Sequence, residues 1–345
     1  MKGQAAMLDK DSLSVSRTPI RPNSNWREQL REGFCDPDSL LTFLGLESNV
    51  APASRRPDFP MRVPRAFAER MTAGAMADPL LLQVLPDPDE ARAHPGFGTD
   101  PVGDLDSRSA PAVLHKYQGR ALLMTTGACA VHCRYCFRQH YPYAGQTIGP
   151  RRWQEALAYL ARNEDIEEVI FSGGDPFMLQ TRKLCELTRD LASLPHIRRL
   201  RIHTRMPVVL PDRVTAHLQA WLSELPWPVV IVIHANHPQE FDPSVDHALE
   251  RLRLTGAHLL NQAVLMRGIN DQVHTLARLM ERGFLAGVLP YYLHLLDRVA
   301  GSKRFEVDEP IARELLHGLR IRLPGYLVPR LVREQPGEPF KLPVL

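Results

Sequence analysis

The sequence predicts an α/β protein whose parallel sheet is joined by helical crossovers. Two observations predict it: six short β-rich runs alternate with helical stretches from Leu122 onward, and the chemically distinctive residues fall just after those runs. The chain before this region has a different texture. Up to residue 112 it holds 13 of the 30 prolines. Proline fixes φ and lacks an amide donor, so it cuts the chain into short pieces. Helices are expected there only near 25–33, 37–46, 64–73 and 79–84.

The β-rich runs are LLMTT (122–126), EEVIF (167–171), RRLRIHT (198–204), PVVIVIH (228–234), HLLNQAVLM (258–266) and GVLPYYLHLL (287–296). Between them the apolar period becomes helical. In 211–225, Val214, Leu218, Leu222 and Leu225 recur at three- and four-residue steps after a start at Pro211. Six units are too few for a closed eight-stranded barrel, which leaves a partial barrel or an open doubly wound sheet. In either, ligands bind at the C-terminal edge of the strands. The cysteines follow the first strand, Ser172-Gly173-Gly174-Asp175 follow the second, and His234 ends the fourth.

Bulk composition narrows the functional classes. The 345 residues are 44% hydrophobic and 23% charged with a net charge of +3, as in an ordinary globular protein and too mild to imply nucleic acid. No stretch approaches the roughly 18 apolar residues of a membrane span. The opening MKGQAAMLDKDSLSV lacks the apolar core of a signal peptide, so the cytoplasm is expected. Three of the five cysteines fall within eight residues. In a reducing compartment such a group reads as metal-binding or catalytic.

Those three form Cys129-Ala-Val-His-Cys133-Arg-Tyr-Cys136, a Cx3CxxC loop. Three thiolates suit three irons of a [4Fe–4S] cubane and leave one iron open to a small molecule. The alternative is a zinc site completed by His132 or His140. Cys35 and Cys185 stand alone and read as ordinary thiols.

The cysteine spacing, with Tyr135 before the last cysteine, resembles the radical S-adenosylmethionine (SAM) superfamily. Ser172-Gly173-Gly174-Asp175-Pro176 resembles that group's GGE-type motif, whose exposed backbone meets the SAM amino group. A narrower resemblance is to the lysine 2,3-aminomutase family. It is carried by HKYQGRALLMTTGACAVHCRYCFR (115–138), FSGGDP (171–176), HANHP (234–238), LLNQAVLMRGIND (259–271) and GYLVPRLVREQPGEPFKLP (325–343). CRYCFRQHYPYA, PYYLHLLD and GYLVPRL are most similar to the short bacterial branch that makes β-lysine for modification of elongation factor P.

The resemblance implies a partial (β/α)6 radical SAM barrel over 111–305. A mainly helical N-terminal region over 1–110 would precede it, and a C-terminal segment over 306–345 would carry a pyridoxal phosphate (PLP) lysine. It implies three cofactors: a [4Fe–4S] cluster, SAM and PLP. Lys341 matches the lysine that holds PLP covalently, and Lys116 and Arg120 match positions near its phosphate. Arg138 matches the arginine that grips the substrate carboxylate. His234 and Gln262 match contacts to SAM, and Asp297 and Glu334 match the acidic pair that receives the distal ammonium. The implied partners are lysine, an electron-donating reductase and an elongation factor P ligase, with a homodimer as one expected assembly.

Asp175 stands where the wider superfamily has Glu, as expected for the aminomutase family. The sequence departs from the longer aminomutases where Glu334 stands in place of their Asp and where Glu338-Pro339-Phe340 replaces a glycine run. Their zinc-bearing extension has no counterpart after Leu345, so no zinc is expected. Two readings compete with this one: an aminomutase for another amino acid, and a non-catalytic iron–sulfur or zinc-binding regulator.

Overall fold

The structure is a computed structural model and describes residues 25–47, 56 and 58–345. The opening segment read for a signal peptide lies outside the described residues. Four short helices come first: α1 (Trp26–Arg31), α2 (Pro37–Phe43), α3 (Arg65–Ala68) and α4 (Pro79–Leu82). Asp36 and Asp78 cap α2 and α4 through their side chains, and a proline opens each helix at a position that needs no amide donor. These helices fall where the sequence put them but end earlier. α2 stops at Gly45, whose φ of +68° leaves the helical region; the Leu46 amide then bonds back to Leu41 O at 2.9 Å.

An antiparallel ribbon follows, β1 (Arg108–Ala110) and β2 (Val113–Tyr117). It leads antiparallel into β3 (Arg120–Thr126), the first strand of the parallel sheet. The parallel strands continue as β4 (Glu168–Gly173), β5 (Arg199–Thr204), β6 (Val229–Ile233), β7 (His258–Val264), β8 (Leu289–His294) and β9 (Arg330–Arg333). A two-residue β10 (Leu342–Pro343) closes antiparallel on β9. All six expected strands form. The sequence missed β1, β2, β9 and β10, which are too short to show a period; β9 has only four residues, with exposed arginines at both ends.

The crossovers are α5 (Pro150–Arg162), α6 (Thr181–Leu191), the short α7 (Met206–Val209) with α8 (Ala216–Ser223), α9 (Pro243–Arg253), α10 (Val273–Leu285) and α11 (Glu309–Arg322). In α8, Thr215 takes the N-cap and accepts from the Leu218 amide at 3.2 Å, so the helix begins after Val214. Strand order runs in sequence order from β1 to β10 without reversal. Right-handed crossovers in an unreversed order all lie on one face and curl the sheet into a barrel wall, whereas a doubly wound sheet must reverse. The fold is therefore the partial (β/α)6 barrel, with β9 as a seventh parallel strand and β1 and β10 as open edges. Its core lies between the wall and the helices. Val169 and Phe171 of β4 and Ile231 and Ile233 of β6 are buried with Trp153, Ala156 and Leu160 of α5. Among the described residues no helix is long and apolar enough to cross a membrane.

The segment before β1 is bound to the loop after β3. The amides of His132 and Arg134 donate to Arg62 O (3.0 Å) and Gln83 O (2.9 Å). The Arg134 guanidinium meets the Glu90 carboxylate with both side chains essentially unexposed. Removing one partner of such a pair strands a buried charge and costs about 3–5 kcal/mol. Glu90→Ala is expected to lose about that much stability in urea unfolding of the metal-free protein. Glu90→Gln, which keeps an acceptor, is expected to lose less.

Candidate active site

The end of β4 lies flush against the cysteine loop, and only glycine permits it. A Cβ on Gly173, which has φ +111°, would stand 2.7 Å from Thr126 O, and one on Gly174 would stand 2.4 Å from Ala128 O. The backbones are joined instead: Gly174 N donates to Thr126 O at 2.7 Å and Asp175 N to Ala128 O at 2.8 Å. The Asp175 carboxylate does not face a ligand. It accepts from the amides of Phe177, Arg205 and Met206 and from Thr204 Oγ1, which consumes its lone pairs. Tyr143 OH donates to Gly173 O at 3.0 Å.

Cys129, Cys133 and Cys136 line a cavity of about 1030 Å³ at the C-terminal ends of the strands. Burial, then the neighbouring Cys136 and Asp175 charges, raises the Cys129 thiol well above its usual value. Burial and Cys133 push Cys136 up to about 12. Burial and neighbouring charge disfavour ionisation at Cys129 and Cys136, and with Cys133 beside them they form a donor set that a cationic group would complete, so the residues fit a cluster. The histidines of the zinc alternative are engaged elsewhere: His132 Nδ1 with Pro60 O at 2.7 Å and His140 Nε2 with Ala300 O at 3.1 Å. Cys35 is exposed and Cys185 half-buried on α6, both outside the cavity.

The same cavity contains a chain of alternating charge. Arg138 Nε donates to Asp104 Oδ2 at 2.6 Å, and Lys116 Nζ lies 2.6 Å from Asp104 Oδ1. Lys116 also donates to Glu334 Oε1 at 2.9 Å, and Glu334 Oε2 accepts from Lys341. Burial opposes ionisation of Asp104 and Glu334. Arg138 and Lys116 outweigh it at Asp104, and Lys341 and Lys116 outweigh it at Glu334, so both carboxyls are held below their ordinary values. The Asp297 carboxyl lines the cavity with no side-chain hydrogen bond among the described residues. Burial, reinforced by the Glu334 charge, raises it to about 7.

The structure thus brings Arg138, Asp297, Glu334, Lys116 and Lys341 into one chamber with the cysteines. Lys116 uses its donors on Asp104, Glu334 and Val102 O. That leaves Arg120, stacked 4.6 Å over the Tyr117 ring, as the freer cation for a phosphate. Ser172 Oγ accepts from Arg138 Nη1 at 3.2 Å. His234 and Gln262 are paired at 2.9 Å across β6 and β7, and burial keeps His234 neutral by lowering it to about 3.

Sequence reasoning missed Asp104, which sits in an irregular loop with no pattern to mark it. It also missed His203 and His294. Both lie at strand ends like His234, so the rule that singled out His234 would have found them. Their Nε2 atoms are buried and have no hydrogen-bond partner among the described residues. Orphaned imidazole nitrogens on the cavity wall fit a site that also takes a polar organic cofactor.

Comparison with known proteins defines the class. Residues 123–280 match the radical SAM superfamily model. The fold also bears a loose likeness, at a TM-score of 0.47 and 13% identity, to Streptococcus suis SuiB bound to S-adenosylmethionine, over 64% of this chain and 51% of that one. The narrower assignment comes from sequence relatives. The chain is 46% identical to the L-lysine 2,3-aminomutase of Escherichia coli (strain K12), over 95% of this chain and 96% of that protein. It is 43% identical to the enzyme of the same name from Haemophilus influenzae, over 93% and 96%, and 30% identical to that from Clostridium subterminale, over 93% and 78%. This chain belongs to the lysine 2,3-aminomutase family.

If the Asp297 carboxyl receives a cationic substrate group, that binding is pH-dependent. Below about 7 it carries a proton and is neutral, and above that it is a carboxylate that attracts an ammonium. For lysine, kcat/KM is expected to rise with pH through about 7, because this ratio reports the free enzyme's ionisations. In Asp297→Asn that limb of the profile is expected to flatten; a wild-type profile without it removes Asp297 from substrate binding.

Proposed function

We propose that this chain is an isomerase that moves the α-amino group of free L-lysine to C3 and so makes β-lysine. One observation carries the reading: the thiols of Cys129, Cys133 and Cys136 and the ion chain from Arg138 to Lys341 open into a single cavity. When bound, a [4Fe–4S] cluster supplies the electron that cleaves SAM, and PLP supplies a carbonyl carbon that carries the migrating nitrogen.

The chain's own residues bind and orient. Cys129, Cys133 and Cys136 hold the cluster, and Lys341 holds PLP with Arg120 at its phosphate. Ser172, Gly173, Gly174, Asp175, His234 and Gln262 form the SAM side. There Asp175 contributes by fixing the turn after β4, since its carboxylate is spent on backbone amides and Thr204. Asp104 and Ser172 fix Arg138 through Nε and Nη1, and its Nη2 is left for an α-carboxylate. Glu334 and Asp297 receive the ε-ammonium. In the ligand-free chain Lys341 occupies Glu334 Oε2, the atom left for the ε-ammonium when Lys341 carries PLP, while Lys116 stays on Oε1.

The similarity to the short bacterial branch supports a further step, in which a separate ligase attaches β-lysine to elongation factor P in the cytoplasm. A dedicated reductase would supply the electron, and two copies of the chain would assemble as a homodimer. We further propose that the helical N-terminal region, the barrel and the C-terminal PLP segment divide at about residues 110 and 305.

The test is anaerobic turnover with SAM, PLP and dithionite, read by chromatography of the amino-acid products. Hydrogen bonds to charged groups contribute about 1.5–3 kcal/mol each. Two at the ammonium are expected to favour lysine over norleucine by roughly two to four orders of magnitude in kcat/KM. Ornithine is expected to fall between them. Norleucine or glutamate turned over as fast as lysine would overturn the assignment of the ammonium pocket.

A further inference from the structure

Arg205 stands behind the cysteine loop, apart from the substrate chain, and is 5% exposed. Its backbone is pinned where β5 ends, because Asp175 accepts from both Arg205 N (2.7 Å) and Met206 N (3.1 Å). Nη1 donates to Cys133 Sγ at 2.7 Å and to Tyr135 OH at 2.8 Å. Nη2 donates to Gln83 Oε1 at 2.6 Å and to Glu240 Oε2 at 2.9 Å, and both of these residues are fully buried. The guanidinium is packed over the rings of Phe67 and Tyr135. Nε is buried and has no hydrogen-bond partner among the described residues. The charge cannot withdraw to water, and it is fixed on the sulfur of one cysteine of the loop.

Resting on the cluster assignment above, we propose that Arg205 sets the reduction potential of the iron–sulfur cluster, with Glu240 as its counterweight. One-electron reduction adds a negative charge to the cluster, supplied here by a low-potential one-electron donor. A fixed cation with an N–H donor on a ligating sulfur stabilises the reduced form more than the oxidised form and raises the potential. Glu240, on the other side of the same guanidinium, offsets part of that field. Gln83 and Asn236 fill the remaining hydrogen-bonding positions around it; Asn236 Nδ2 donates to Gln83 Oε1 at 3.0 Å and to Tyr135 OH at 2.6 Å.

A purely structural pin and a potential-setting charge make different predictions for two changes that each remove one charge. The experiment is a mediated redox titration, followed by electron paramagnetic resonance, of anaerobically reconstituted full-length protein without SAM. At the potential that half-reduces the wild type, Arg205→Gln is expected to raise the oxidised-to-reduced ratio about tenfold, a downward shift of about 59 mV for one electron. Glu240→Gln is expected to shift the potential the other way. Arg205→Lys, which keeps the charge, is expected to lie between wild type and Arg205→Gln, and iron content is expected to hold in all three.

Shifts of the same sign in Arg205→Gln and Glu240→Gln, or none in either, overturn the proposal. If Arg205→Gln fails to fold, Glu240→Gln decides it, since a potential at or below that of the wild type is fatal. A wild-type protein that takes up no cluster overturns the functional reading itself, and that result is seen before any variant is titrated.

Discussion

A guanidinium taken out of water must be met by an acceptor, and two such residues hold this molecule together around its cysteine loop. Arg134 reaches out of the loop to Glu90, and Arg205 reaches toward it from the end of β5. Each is met by a fully buried carboxylate, Glu90 for one and Glu240 for the other, and each also bonds to the segment before β1. The segment before the barrel is therefore not an appendage. It supplies Phe59 O, Gln83 and Glu90 to charges that the barrel alone could not satisfy, and the loop between takes its shape from both sides.

The glycines of β4 impose the complementary constraint. Without side chains at 173 and 174, the strand edge and the start of the loop close to direct backbone contact. The sequence pattern Ser-Gly-Gly-Asp thus has a meaning that precedes any ligand. Gly173 and Gly174 allow the approach, and Asp175 fastens the next strand's end by accepting from Arg205 and Met206. Whatever binds at this edge meets a joint the fold already requires.

How much could be read in advance follows from how local each signal is. The six long strands and their crossovers announced themselves through period and composition, as β4 shows with five buried residues in succession. The cysteines and the glycines are dense motifs on single loops, and they were legible too. Asp104 was not, because its importance comes from meeting Arg138 and Lys116, which are distant in sequence and join it only after folding. β9 and β10 were hidden for a related reason: four residues and two have no period, and only their neighbours make them strands. Lys341 was noticed through its resemblance to a family, and the fold supplies the physical reason for its place, since β10 pairs with β9 beside Glu334.

The ion chain has a consequence for the order in which the chamber fills. It holds three cations, Arg138, Lys116 and Lys341, against the carboxylates of Asp104 and Glu334. Asp297 is near its midpoint at neutral pH and supplies only part of the missing negative charge. An empty chamber is therefore electropositive, inviting to a phosphorylated cofactor and repellent to an amino acid that carries a surplus positive charge. If an anionic cofactor took up Lys341, Glu334 Oε2 would be released while Oε1 stayed on Lys116, and the positive surplus of the chamber would fall. Electrostatics would then favour cofactor before substrate, with no moving gate required to enforce that order.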